Sequence, residues 1–405
     1  MSWKETCAVN ERLLFVADVQ AGELTFAQAC QRRGISRKTG YKWWQRYCAE
    51  GPAALQERSR APLHHPNAVD AAVIAQLAAA RRRHPSWGAR NLIDWLARRT
   101  PGSRWPAAST VHEILGRQGL IEPRKRRRRS APYSQPFVQA DRPNALWCAD
   151  FKGQFRLGDG TLCYPLTVSD SYSRSLLECR ALTSTHAAPV RCVMERLFRE
   201  RGLPLAIRTD NGTPFASVGL AGLSQLSAWW VRLGIWPERI APGHPEQNGR
   251  HERLHRTLAA ATAQPAAATL TAQQRRFERF GYEYNRERSH QALGRHTPAE
   301  FYQVSSRPYP QRLPPLEYPA HYVIRRVRPN GQIKWHGADL YLSQVIAGQP
   351  VGLDAIDDGR WRLYYGMLPL ATLDARTARG ARIEPLNPKT PPRTMTANVS
   401  PMSPV

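Results

Sequence analysis

Asp150, Asp210 and Glu252 stand in three distinctive settings, WCADFKG, RTDNGTPF and PGHPEQNGRHERLHRTL. Carboxylates supply the hard oxygen ligands that divalent cations prefer, and three brought together could hold two cations. Two such ions activate an attacking hydroxyl and stabilise the leaving oxygen of a phosphodiester. Each acid alone also has a plain structural reading. Asp210 would cap the turn at Asn211-Gly212, and Glu252 would pair with Arg256 one helical turn on. The rest of the chain bears on the choice. It carries 58 Lys and Arg against 32 Asp and Glu, a formal net charge of +26 and a pI near 10.6. An acidic cluster in so basic a chain points to chemistry on a polyanion, and a field of this sign favours double-stranded DNA as partner.

Other classes fit less well. No apolar run of membrane-spanning length is present, and MSWKETCAVNERLLF lacks the apolar core and small-residue cleavage site of a secretory signal. The seven cysteines (7, 30, 48, 148, 163, 179 and 192) have no CxxC spacing, which suits reduced thiols in a cytoplasmic protein. His244, His251 and His255 crowd around Glu252 without a zinc-ligand spacing, and they read as DNA-facing or supporting groups.

The elements that must position the acids lie in residues 140–305. Three strands in a meander, around ALWCADFKG, LCYPLTVSD and SLLECRAL, are followed by alternating helix and strand. That order predicts an α/β layer with a mixed sheet. Asp150 falls in the first strand and Asp210 ends a short apolar one. Glu252 opens a long helix whose buried stripe is Leu254, Leu258 and Ala261. His255 and Arg256, three and four residues on, share the glutamate's side and would meet phosphate.

Upstream, residues 1–60 predict a helix-turn-helix. An apolar pattern runs through Leu13, Leu14, Val16 and Ala17 and resumes at Phe26, Ala27 and Cys30. It breaks at Gly34 and restarts at Ser36. The second helix would present Ser36, Arg37, Lys38, Thr39 and Lys42 to groove edges and phosphates, with Trp43, Trp44 and Tyr47 turned inward. Residues 66–121 form a second helical unit, helix-turn-helix-like, which could equally be a packing domain. A basic linker follows at 122–139. Its run Arg124, Lys125, Arg126, Arg127, Arg128 and Arg129 suits phosphate contact as well as plain solvation. Residues 320–376 return to short strands with Asn330-Gly331 and Asp358-Gly359 turns, the pattern of a small β-barrel. The Pro- and Thr-rich stretch 381–405 reads as a disordered tail.

The chain resembles the DDE-type transposases and retroviral-type integrases, and most closely the IS481-like bacterial insertion-sequence transposases. The resemblance runs from residue 1 to about 305 and rests on WCADFKG, TDNGTPF, PGHPEQNGRHERLHRTL and YNRERSHQAL. It implies an RNase H-like core in which Asp150, Asp210 and Glu252 bind two Mg²⁺ ions, with Mn²⁺ as a possible substitute. It implies that Tyr284, Asn285 and His290 brace the catalytic helix. It further implies binding to terminal inverted repeats, cleavage and strand transfer, a homo-oligomer on DNA, and a place in the bacterial cytoplasm and nucleoid. Family members often separate the second Asp from the Glu by 35 residues, where Glu246 stands. Glu252 lies six farther but follows the Asn-Gly turn, as the family's glutamate does. A non-catalytic DNA-binding relative and a nuclease without a joining step are the competing readings.

Overall fold

Short capping signals set the starts of the N-terminal helices. The computed structural model describes residues 7–59, 68–121, 140–241, 245–374 and 382–386, in two compact units, Met1–Val69 and Asp70–Val405. In the first unit, helices α1 (Ala8–Ala21), α2 (Phe26–Arg32) and α3 (Arg37–Glu50) pack around Phe15, Val16, Cys30, Trp43 and Leu55. Thr25 and Gln28 cap α2 reciprocally, and the Ser36 side chain accepts from the Thr39 amide to start α3. Gly34, at φ +64°, makes the turn between them. Gly40 lets α3 approach α2: a Cβ there would lie 2.5 Å from the Cys30 sulfur. The buried face of α1 differs from the sequence reading. Leu13 and Leu14 are exposed, and Phe15 and Val16 fill the core.

The second unit begins with α4 (Ala71–Arg83), α5 (Ala89–Arg99) and α6 (Ala108–Arg117), joined through buried Leu77, Leu92, Trp95, Val111 and Leu115. Asp70 caps α4 by accepting from the Ala72 amide.

The central layer follows. Strands β1 (Leu146–Phe151), β2 (Phe155–Arg156), β3 (Leu162–Asp170) and β4 (Leu176–Leu182) precede α7 (Ala187–Arg201). Then come β5 (Ala206–Thr209), α8 (Gln225–Arg232), β6 (Trp236–Arg239), α9 (Gly249–Thr262) and α10 (Leu270–Tyr282), with a π-turn at Glu283–Glu287 and α11 (Pro298–Phe301). The sheet runs β4-β3-β1-β5-β6, with β2 added along β3. β4, β3 and β1 are antiparallel, whereas β5 and β6 run parallel to β1. This is the mixed sheet that the strand pattern predicts.

Alternation along the strands sorts its two faces. Trp147, Ala149, Leu166 and Val168 turn towards Val190, Met194 and Phe198 of α7 and Leu226, Trp229 and Trp230 of α8. A fully buried side chain of this size contributes about 1.5–3 kcal/mol. The opposite face is apolar at Cys163, Leu176 and Cys179 under Leu254, Leu258, Phe277 and Phe280 of α9 and α10. Next to that cluster the same face turns polar, at Asp150, Thr167 and Ser169.

The C-terminal strands are β7 (Val323–Arg326), β8 (Gln332–Trp335), β9 (Ala338–Tyr341), β10 (Pro350–Asp357), β11 (Arg360–Tyr365), β12 (Leu368–Asp374) and β13 (Arg382–Pro385). The expected barrel does not form among the described residues. An open antiparallel sheet, β13-β12-β11-β10-β7, stands beside a separate β8-β9 ribbon. Asp358-Gly359 does join β10 to β11 as a hairpin. Asn330-Gly331 does not join β7 to β8, because β7 pairs with β10 and β8 turns back at His336-Gly337 to pair with β9. The expected tail at 381–405 is also corrected in part: apolar Ile383 lets β13 pair along β12 and pack against the same core. No helix of the described residues is long and apolar enough to cross a membrane.

Candidate active site

β1 and β5 bring the two aspartates level. Their parallel ladder pairs Leu146 with Ala206, Trp147 with Ile207 and Cys148 with Arg208. Asp150 and Asp210 each lie two residues beyond the last pair, at the carboxyl ends of adjacent strands. Asp210 turns the chain there, its Oδ1 accepting from the Gly212 amide at 3.1 Å. The Asp150 side chain is 19% exposed. Burial, then the charge of Asp210, push its carboxyl up to about 7. The Glu252 charge adds to this, against the Phe151 amide and the Lys152 charge. The charges of Asp210 and Glu252 therefore both reach Asp150, although the three stand far apart in sequence.

Glu252 lies exposed in the first turn of α9. The buried face of that helix is His251, Leu254, His255, Leu258 and Thr262; Ala261, expected in the stripe, is exposed. His255, expected beside phosphate, is buried instead. Its Nε2 lies 2.7 Å from Thr167 Oγ1, which also lies 2.7 Å from His251 Nε2. His251 Nδ1 lies 2.9 Å from Ser169 Oγ. Burial drives both imidazoles towards the neutral form, His255 down to about 4 and His251 well below its usual range. They seat the helix on the sheet. Sequence reasoning missed Thr167 and Ser169, although strand alternation puts them on the Asp150 face, opposite Asp150 and Cys148 in register.

The exposed side of α9 carries Arg250, Arg253 and Arg256. Asn285 ties the following segment to β4, accepting from the Leu176 amide and donating to its carbonyl, both at 2.8 Å. His290 packs edge-on against Tyr284 with ring centroids 4.8 Å apart. The helical unit α4–α6 joins the same segment. Arg295 and the Ser289 hydroxyl both bind the Asp94 carboxylate, and Trp95 Nε1 donates to Glu287 at 3.1 Å.

In the first unit, Arg37, Lys38 and Lys42 are exposed on α3. The Ser36 and Thr39 hydroxyls lie 3.0 Å apart, engaged in the helix cap. Arg124, Lys125, Arg126, Arg127, Arg128 and Arg129 lie outside the described residues, as do His244 and the side chain of Glu246.

A half-buried carboxyl raised by burial and by two neighbouring carboxylates suits hard divalent cations, which take oxygen ligands. Among the described residues, Asp150, His251 and His255 also offer ligand atoms within 4.8 Å of one another. The imidazole nitrogens there are largely engaged by Thr167 and Ser169.

Family comparisons agree with this layout. Residues 11–62 match a helix-turn-helix domain and 39–115 a homeodomain-like domain. Residues 140–245 and 233–298 match integrase core domains. A 39.2 kDa insertion element IS476 protein of Xanthomonas euvesicatoria is 28% identical over 247 residues, covering 58% of this chain and 66% of the relative. A 31.7 kDa insertion element IS407 protein of Burkholderia multivorans is 28% identical over 263 residues, covering 60% and 86%. Among solved structures, the magnesium-bound HTLV-2 integrase catalytic core is similar over 41% of this chain and all of its own, at 15% identity and a TM-score of 0.33. A simian T-cell lymphotropic virus intasome is similar over 76% of this chain and 95% of its own, at 14% identity and a TM-score of 0.37. The chain thus carries helix-turn-helix domains ahead of integrase core domains and is similar to insertion-element proteins, which together support a transposase of the DDE type.

Proposed function

We propose that this chain binds the terminal inverted repeats of its own insertion element, cuts the DNA there and joins the freed ends to a target. Asp150, Asp210 and Glu252 are its metal-holding and catalytic side chains. The observation that carries this reading is the β1–β5 register, which sets Asp150 and Asp210 at the carboxyl ends of adjacent strands, with the Glu252 charge also reaching Asp150. Acidic groups gathered in this way are characteristic of functional sites.

Mg²⁺ ions bound by the three acids, with Mn²⁺ as the alternative, would supply Lewis-acid activation of the attacking hydroxyl and charge for the leaving oxygen. The chain's own groups do the rest. Thr167, His251 and His255 fix α9 on the sheet so that Glu252 emerges beside the aspartates. Arg256 draws the DNA backbone onto the exposed side of α9. Arg37, Lys38 and Lys42 hold the repeat through α3, and the run from Arg124 to Arg129 adds sequence-independent attraction to phosphate. Joining two ends requires at least two copies of the chain on DNA.

The test is strand transfer by the full chain, with DNA carrying the ends of its element and Mg²⁺. Joined product supports the proposal. Cleavage without joining would make the protein a nuclease, and binding alone a regulatory relative.

A further inference from the structure

Beside α9, two arginines that both lie near Tyr284 have no partner for their charge among the described residues. Arg174 sits in the turn between β3 and β4 at φ +65°, a left-handed backbone that non-glycine side chains rarely adopt. Arg288 follows the π-turn, its guanidinium 5.6 Å from the centre of the Tyr284 ring. Each has a buried Nη1 without a hydrogen-bond partner, and neither forms an ion pair among the described residues. His290, edge-on to Tyr284, leaves a buried Nε2 unpartnered. Burial and then Arg250 disfavour the Arg174 charge, against Tyr284, Cys148 and Asp170; Arg253 lies close enough to act on Tyr284.

Buried guanidinium groups are costly unless paired, and native proteins seldom leave such donors empty. A tetrahedral oxyanion would satisfy both. It would accept from the two free Nη1 donors and neutralise their charge. Arg250 and Arg253 of α9 act on Arg174 and Tyr284, so positive charge continues from the two arginines along the helix. A strand's backbone fits that continuity better than an isolated small anion.

We propose that Arg174 and Arg288 form a phosphate-binding pocket that grips one backbone phosphodiester of a DNA strand passing Glu252. The assignment to DNA rests on the transposase reading; the pocket itself does not.

The test uses the full chain and inorganic phosphate, followed by thermal unfolding against chloride at equal ionic strength. Wild type is expected to show a saturable rise in Tm that Arg174→Gln and Arg288→Gln each abolish. In phosphate-free buffer both variants should unfold no lower than wild type, because each removes a cation with an unpartnered buried donor. Arg288→Lys should keep part of the response, and Asp210→Asn all of it, which separates the pocket from the catalytic acids. The slope of log affinity against log salt for DNA should become shallower by about 0.9 in each glutamine variant. Absence of any phosphate response in wild type would overturn the pocket. So would equal destabilisation of the glutamine variants with and without phosphate, as expected of a structural brace. A lost phosphate response with an unchanged salt slope would overturn the assignment to DNA.

Discussion

His255 Nδ1 lies 3.9 Å from Asp150 Oδ2, while its Nε2 lies 2.7 Å from the Thr167 hydroxyl. Thr167 has a single proton, and it donates to the Asp150 carbonyl at 3.1 Å. Both imidazoles must then donate to Thr167 from Nε2. His255 is left with its Nδ1 lone pair turned to the Asp150 carboxyl, and His251 with an Nδ1 that accepts from Ser169. One threonine thus fixes the tautomers of two histidines and the seat of the helix that carries Glu252.

His255→Ala should lower stability by about 1–3 kcal/mol, since it leaves a buried hydroxyl short of a partner. Thr167→Val in the same background should be non-additive by at least about 0.5 kcal/mol. Thermal unfolding of the four proteins in that cycle measures the coupling, and strict additivity would mean that the contact carries no weight.

Asp150→Asn should stabilise the metal-free protein, because it removes a charge that folding disfavours. The folded carboxyl holds its proton up to about 7, against 3.8 when unconstrained. The folded state therefore binds the proton more tightly, and this group's contribution falls as pH rises from about 4 to 7. His251 and His255, kept neutral by burial, act in the opposite sense on acidification. The difference between variant and wild type isolates the aspartate. That difference should grow in favour of Asp150→Asn as pH rises across this window, as read by denaturant unfolding with chelator. A flat difference would mean that the carboxyl is not under strain.

Asp94→Ala should loosen the α4–α6 unit from the core. Asp94 is 15% exposed and pairs with Arg295, which is half exposed, while also accepting from Ser289. Screening by solvent keeps the cost to about 1–2 kcal/mol. Hydrogen exchange should quicken in α4–α6 and stay unchanged in β1, β3 and β5. Uniform acceleration would point to a global loss instead.

Gly40→Ala should destabilise the first unit by about 1–3 kcal/mol, because the new methyl meets the Cys30 sulfur with no room to yield. Cys30→Ala should rescue part of the loss. Unfolding followed by Trp43 fluorescence reports on this unit, and an unchanged midpoint would refute the close approach.

Much of this was legible because period and punctuation agree. The strands carrying Asp150 and Asp210 end where the texture changes, and Ser36 announces α3. The residues that hold the site together were harder to see. Thr167 and Ser169 look like ordinary polar positions until the β1-β3 register sets Asp150 opposite Thr167. His255 shares the side of Glu252 by spacing alone, yet α9 turns its buried edge onto the sheet there. The Asn330-Gly331 turn suggests a hairpin, but which strand pairs with β7 is decided by packing at long range. Arg174 and Arg288 lie in separate elements that only the fold brings together.

The central claim is that three carboxylates act as one site, and the direct measurement is joining of element ends in Mg²⁺ by single-residue variants. Asp150→Asn, Asp210→Asn and Glu252→Gln should each abolish joined product while end binding stays at the wild-type level, and Glu246→Gln should have little effect. Wild-type joining by the Glu252→Gln protein, with loss in Glu246→Gln, would contradict the assignment of Glu252 as the third ligand.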